Sequence, residues 1–404
     1  MGQRRARSLE LTVTWTFAHT TRLTVGAGCW REAPARVATY GRRALLVTGA
    51  ESLRLLGISE ELDRLLAAAG VAAMRVTVAG EPDTELVDAI AETARTARCD
   101  VVLAVGGGSV MDAAKGAAAM AVNAGPVRDR MEGLEQPPVP LEVAPLPVLC
   151  VPTTAGTGSE VTRNAVLTVP DRRVKRSLRD ERLTPREAFI DPLLAAGGPL
   201  TLRAACGFDA LTHLIEAFCS TAATPLSDAL ARDALPRAMR GLRALADGGR
   251  HAAQAAAAAA EDLALAALAG GICLGNAGLG AAHGLVAPLG GLYPRAPHGA
   301  ALACLLPATL VANEAALAAR APDSPARARL TEVAAAVVGP GAGVGLAART
   351  LVELRKRLGL PGLASYGVAD LDAIVAAPSG SLRTNPIVLT PVEMRILLAN
   401  ALPD

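Results

Sequence analysis

Aromatic side chains are nearly absent from this chain: two Trp, three Tyr and four Phe in 404 residues. A surface that stacks on bases needs aromatics interleaved with a basic stripe. Neither occurs, so nucleic acid is not an expected partner. Charge of one sign is lacking too, since 40 Lys and Arg face 38 Asp and Glu for a formal net charge of +2. The seven cysteines, Cys29, Cys99, Cys150, Cys206, Cys219, Cys273 and Cys304, are odd in number and include no C-x-x-C pair. That pattern fits reduced thiols in a cytosol-like compartment rather than a disulfide framework, so a cytoplasmic location is expected. No 18-residue apolar run is free of charge. Residues 252–270 come nearest, and Glu261-Asp262 interrupts them, so no membrane span is expected. Arg4, Arg5 and Arg7 are followed by Glu10, Thr12, Thr14 and Thr16 rather than by an apolar run, which reads as a solvated basic end before a strand.

Apolar residues make up 51% of the chain, much of it alanine, which favours closely packed helices over an aromatic core. The length suits two domains. Residues 11–25 alternate as a strand does, through Leu11, Val13, Trp15, Phe17, Leu23 and Val25. Strands are also expected over Arg43–Thr48, Met74–Val78, Val101–Val105 and Val148–Val151, with helices over 51–69 and from Asp83 or Thr84 to about Arg98. This alternation predicts a parallel sheet with right-handed crossovers. The proline-rich stretch 124–147 reads as an irregular excursion, and Ala165–Lys175 as a hairpin turning at Pro170-Asp171. Beyond Asp191-Pro192 the strand signal nearly vanishes. The expected fold is an α/β N-terminal dinucleotide-binding domain, residues 1–195, followed by an all-α C-terminal domain, residues 196–404.

Two loops follow strands. Val105-Gly106-Gly107-Gly108-Ser109 opens into a helix through Asp112 and Lys115. Glycines let the backbone approach a ligand, and the free N–H groups of the helix start form an anion site. The spacing is neither G-x-G-x-x-G nor G-x-x-x-x-G-K-[ST]; a tight turn without a ligand would read the same. The second loop, Pro152-Thr153-Thr154-Ala155-Gly156-Thr157-Gly158-Ser159-Glu160-Val161-Thr162, is dense in hydroxyls and suits phosphates, ribose or an amide, or simply a capped turn.

Three of the five histidines fall between Cys206 and His298. Asp209 and His213 are four apart and share a helix face. With His283 and His298 they make one carboxylate and three imidazoles, a sufficient set for a borderline divalent metal such as Fe²⁺ or Zn²⁺. Each histidine alone also reads as a satisfied core or loop residue.

Taken in order, G-G-G-S-x-x-D-x-x-K, P-T-T-A-G-T-G-S-E-V-T, D-A-L-T-H-x-I-E-A, N-A-G-L-G-A-x-H-G and P-H-G resemble the iron-containing (group III) alcohol dehydrogenase family of the dehydroquinate synthase-like superfamily. The resemblance implies a cleft between the two domains and a metal held by Asp209, His213, His283 and His298. The cofactor implied is NADP or NAD, its diphosphate at Gly107, Gly108, Ser109 and Asp112. Thr153, Thr154, Thr157 and Thr162 match positions near the diphosphate and nicotinamide, and Lys175 matches a hairpin lysine near the cofactor. The implied reaction is hydride transfer with a small alcohol or aldehyde, in a homodimer or larger homo-oligomer. The gap from His283 to His298 is one residue longer than usual, around Pro294-Arg295-Ala296. Ala287 stands where many members carry a proton-relay histidine, so no catalytic residue is assigned. The proton is expected to travel through water, a ribose hydroxyl or a threonine, with His251 as the rival.

Where NAD-preferring members often have an Asp at the end of the first strand, this chain has Gly49, followed by Glu51 and Ser52. Gly49 removes repulsion of a 2′-phosphate. Ser52 and Arg42 or Arg43 could receive that group, and Glu51 argues the other way. The expectation is that NADPH is accepted. Glu216, one turn beyond His213, reads as a cap for a neighbouring helix or else as a group behind the metal ligands, and Cys206 as a small buried residue or one near the site. Two other readings of the same motifs are a dehydroquinate synthase-like cyclase or lyase and a maleylacetate reductase-type enzyme, the latter opposed by the retained Asp209.

Overall fold

The structure, a computed structural model, describes residues 14–248 and 253–404. Six strands form a wholly parallel sheet: β1 (Arg22–Val25), β2 (Arg43–Gly49), β3 (Ala72–Val78), β4 (Val101–Gly106), β5 (Val148–Pro152) and, after a hairpin, β8 (Glu187–Ile190). Their order is β1-β8-β5-β4-β2-β3. The inner strands β4 and β5 are buried along their whole length, which is why they read as continuous apolar runs. Alternate residues feed opposite faces. Leu45, Val47, Val102 and Ala104 pack on one side, and Ala44, Leu46, Leu103 and Val105 on the other.

The chain leaves β2 for β3 in one direction and returns past β2 to β4 in the other. The ends of β2 and β4 therefore flank the switch point, where α/β sheets bind ligands outside their carboxyl edge. Gly49 pairs in register with Val78, and Gly106 with Pro152, so both loops singled out in the sequence open on that edge. From β4 the chain runs straight into helix α1 (Gly108–Met120). The hairpin of β6 (Asn164–Val169) and β7 (Val174–Arg179) lies apart from the sheet.

Among the described residues the regular elements from Leu200 on are all helices: α2 (Leu200–Cys219), α3 (Pro225–Ala246), α4 (Ala253–Ala277), α5 (Ala281–Leu292), α6 (His298–Arg320) and shorter helices beyond. The second half of α2 is buried on all sides, apolar and polar residues alike. Its core is built with Ala, Leu and Met of α3, α4 and α6. Helix α3 starts on a capping box in which the Thr224 and Ser227 side chains satisfy each other's backbone N–H. The stretches Gln254–Ala277 and His298–Arg320 are long and apolar enough to cross a membrane, but 61% and 78% of their apolar windows are buried inside the protein. They are core helices here.

Several expectations need correction. Only Arg22–Val25 of residues 11–25 is strand; Trp15 is exposed, and Leu11 and Val13 lie outside the described residues. The helix expected over 51–69 is two, Ser52–Leu55 and Ser59–Ala68, because Gly57 adopts φ +66° between them. Strand β8 was not foreseen. Arg43 is the first residue of β2 and Gly49 the last, so Arg42 and Arg43 lie roughly 20 Å from that glycine at about 3.3 Å per residue. Arg42 instead donates to the Ala69 carbonyl. Both arginines are therefore withdrawn as partners for a cofactor phosphate.

Candidate active site

The glycine loop is narrow by construction. A Cβ on Gly107 would stand 3.1 Å from Thr154 Oγ1, and one on Gly108 2.6 Å from Thr157 Cγ2. The two loops therefore touch, and backbone N–H groups at the start of α1 are left facing the cleft. Gly107, Gly108 and Ser109 are all partly open there. From Val151 to Glu160, Thr154 and Thr157 alone are not buried. Their hydroxyls are the ones that can meet a ligand.

The rest of the second loop is tied down. Gly158 adopts φ +63°, and a Cβ on it would lie 2.4 Å from Gly271 Cα, so the loop meets α4 backbone to backbone. Asp112, grouped by sequence with the diphosphate loop, uses its oxygens inside the protein. Ser159 Oγ donates to Oδ1 at 2.5 Å, Val166 N donates to Oδ2 at 3.0 Å, and Lys115 Nζ lies 3.2 Å from Oδ1. Thr162 Oγ1 accepts from the buried Lys115 ammonium at 3.1 Å. Thr153 is buried, and its N–H donates to the Gly106 carbonyl. Lys175, on the hairpin, pairs with Glu81 and lies against Gly290 of α5.

Asp209 and His213 sit one turn apart on α2, His283 in the first turn of α5, and His298 at the first residue of α6. The structure brings all four together. From Asp209 Oδ1, His283 Nε2 lies at 3.4 Å, His213 Nε2 at 3.6 Å and His298 Nε2 at 3.7 Å. The rings of His213 and His283 stack with centroids 4.4 Å apart. Ligand atoms of Asp209, His283 and His298 all lie within 4.8 Å of one another. Asp209 Oδ1 and His283 Nε2 are buried and have no hydrogen-bond partner among the described residues. Buried polar atoms are seldom left so, and a cation between them would satisfy both. One carboxylate and three imidazole nitrogens suit a borderline divalent metal.

Glu216 combines its two expected roles. It caps α5, accepting from Ala282 N at 2.6 Å, and it also lies 2.7 Å from His283 Nδ1. The cap depends on Gly280, whose Cβ would come within 3.0 Å of Glu216 Oε1. A proton on Nδ1 turned toward Glu216 leaves Nε2 as the lone-pair atom facing Asp209. Burial opposes charge on His283, but the carboxylates of Asp209 and Glu216 overcome it and raise its pKa to about 9. Burial outweighs Asp209 at His213 and lowers that ring to about 4. Burial would raise Asp209, yet the surrounding imidazoles hold it below the usual carboxylate range. Two carboxylates thus converge on one imidazole, a centre that favours added positive charge. Cys206 lies one turn before Asp209, and burial and that carboxylate push its thiol up to about 12. Ala287 follows His283 by one turn of α5 and is partly open. His251 lies outside the described residues.

Residues 20–192 match the family model described as iron-containing alcohol dehydrogenase, and residues 203–402 match that of the family's C-terminal part. The chain belongs to the iron-containing alcohol dehydrogenase family. An NAD-dependent methanol dehydrogenase of Bacillus methanolicus is 32% identical over 94% of this chain and 97% of its own length. A 1,3-propanediol dehydrogenase of Klebsiella pneumoniae is 40% identical over 66% of this chain and 67% of its own. Among solved structures, an archaeal halo-thermophilic Red Sea brine pool alcohol dehydrogenase superposes with a TM-score of 0.87 at 27% identity, over 96% of this chain and 100% of that one. This iron-type alcohol dehydrogenase is accordingly a nicotinamide-dependent, divalent-metal-dependent oxidoreductase of alcohols and aldehydes.

Proposed function

We propose that Asp209, His213, His283 and His298 hold one divalent metal and that the enzyme interconverts a small, partly apolar alcohol and its aldehyde. The observation that carries this is the convergence of three Nε2 atoms on Asp209 Oδ1, with that oxygen and His283 Nε2 otherwise unpartnered. When bound, the metal supplies a Lewis acid for the substrate oxygen and the nicotinamide a hydride acceptor or donor. The chain's own residues do the rest. Asp209 lowers the net charge of the centre. Glu216 holds the proton on His283 Nδ1 and keeps Nε2 free. Gly107, Gly108, Ser109, Thr154 and Thr157 receive the cofactor, while Asp112, Thr162 and Lys115 keep the two loops at a fixed spacing. With Ala287 in place of a relay histidine, a proton leaves the partly open face of α5 through water or a hydroxyl.

We read the cleft as the meeting of two domains divided near residue 195, supported by the switch from β8 to uninterrupted helices. The seven cysteines, all free, support a reducing, cytoplasmic compartment. A homodimer or larger assembly carries over from the family resemblance.

NADPH is accepted alongside NADH. Glu51, the residue that would repel a 2′-phosphate, is occupied by Arg54, whose Nε donates to it at 2.8 Å. Ser52 Oγ beside Gly49 is buried and without a partner among the described residues.

Protein purified without chelator is expected to carry one metal per chain and to reduce small aldehydes in a panel run with NADH and NADPH. His283→Ala should lose metal and activity together while staying folded. Full activity in metal-stripped protein would overturn the metal reading.

A further inference from the structure

Arg203 has no place in the metal centre or the glycine loop, yet its setting is unusual. It lies in the first turn of α2, two turns before Asp209, and is only partly exposed. Burial lowers its affinity for a proton, and its guanidinium makes no hydrogen bond or ion pair among the described residues. The other partly buried arginines of the fold are engaged: Arg36 by Glu187, Arg130 by carbonyls, Arg329 by Asp228. Five donors in a rigid fork left without an acceptor point to a ligand with oxygens to offer.

Arg203 lines a small pocket, with room for about one water, together with Thr153, Thr154, Gly198, Leu202 and Cys206. Thr154 is shared with the glycine loop, where its hydroxyl sits 3.1 Å from the position of a Gly107 Cβ. Gly197, next to the lining residue Gly198, abuts Leu56 at the end of the short helix after β2. The pocket thus adjoins the second loop at Thr153 and Thr154, just beyond the carboxyl end of β5. A diphosphate held at Thr154 and the glycine loop would pass the mouth of this pocket, beside Arg203.

We propose that Arg203 is a cofactor-binding residue that pairs with the diphosphate of the dinucleotide from the helical side of the cleft, opposite the backbone N–H groups of α1. The proposal rests on the cofactor reading above. A guanidinium matches phosphoryl oxygens two at a time, and a partly desolvated one is poorly replaced by water. Because Arg203 has no protein partner, removing it leaves the fold's contacts intact, so its effect falls on binding rather than stability.

The test is fluorescence titration of the wild type, Arg203→Gln and Arg203→Lys with NADH and with NADPH, alongside thermal unfolding and displacement by adenosine, which has no phosphate. Arg203→Gln should weaken NADH and NADPH alike by roughly tenfold, with unfolding temperature and adenosine displacement unchanged. Arg203→Lys should recover part of the loss, and added salt should narrow the difference between wild type and Gln variant. Equal binding by wild type and Arg203→Gln overturns the proposal and leaves the cofactor reading standing. Weakening of NADPH alone moves the contact to the 2′-phosphate and overturns the diphosphate assignment. A wild type that binds neither nucleotide overturns the cofactor reading itself.

Discussion

Asp209 and Asp112 are both carboxylates of motifs that mark the family. Around Asp209, three imidazole nitrogens stand at 3.4–3.7 Å from an oxygen that accepts nothing. Around Asp112, a hydroxyl, a backbone N–H and an ammonium are all within 3.2 Å. A buried carboxylate that its own protein leaves unsatisfied is facing a ligand. One whose neighbours have satisfied it is holding the scaffold. The motif pattern does not separate the two roles; the hydrogen bonds do.

Exchanging each for its amide should pull the roles apart. Asp209→Asn is expected to lower metal affinity at least about a hundredfold, beyond the roughly 10–100-fold typical of residues outside the first ligand set. It should abolish activity and cost the metal-free protein less stability than Asp112→Asn does, since only the charge pairing with the imidazoles is lost and no hydrogen bond to Oδ1. Asp112→Asn should do the reverse, keeping one metal per chain while costing about 2–3 kcal/mol of stability. Metal analysis and denaturant unfolding of both variants check this, and a swap of the two outcomes would refute the distinction.

The scaffold side can be sharpened through Glu160, the neighbour of Ser159. Burial raises its pKa from 4.5 to about 7, against the charge of Lys115 and a hydrogen bond from its own backbone. The unfolded chain releases this proton near pH 4.5, and the folded chain holds it to about 7. Its stabilising contribution is therefore whole below about pH 4.5 and lost as pH rises to about 7. Between about pH 5 and 8 the wild type should lose on the order of 2 kcal/mol that Glu160→Gln does not lose. Unfolding curves of the two at those pH values give the difference directly, and parallel curves would show that Glu160 is not buried as a neutral acid.

The smallest effect belongs to the far end of the cleft. Gly49→Asp should move cofactor preference about tenfold toward NADH, or roughly 1.4 kcal/mol in transition-state binding. The new side chain must displace Ser52 Oγ, which stands 2.7 Å from its Cβ position. The NADPH reading fails if the wild type already favours NADH tenfold in kcat/KM.

Much of the site was legible because its residue types are scarce. With five histidines in the chain, three beside an Asp at helical spacing stand out, and all four converge. The glycine loop was legible from its strand and helix on either side. Strand β8 was not, because four residues, Glu187–Ile190, carry too little periodicity to register. Arg42 and Arg43 are near Gly49 in sequence, but an extended strand separates them in space. Glu216 one turn beyond His213 suggested a cap or a place behind the metal ligands, but only the fold shows that it does both, toward His283 67 positions away. Arg203 gave no signal, since an arginine in the first turn of a helix is ordinary until its missing partner is seen.

Helix α4 carries two consecutive glycines at the centre of the cleft. A Cβ on Gly270 would meet His213 Cβ at 3.2 Å, and one on Gly271 would meet the Gly158 carbonyl at 2.6 Å. The helix therefore works as a gauge block one backbone thick, set between a metal-side histidine and the loop on the cofactor side. Neither glycine has a side chain of its own to cushion a displacement. Any slide of α4 along its axis must carry both sides together, so the spacing between them belongs to the backbone and is not adjustable by rotamers.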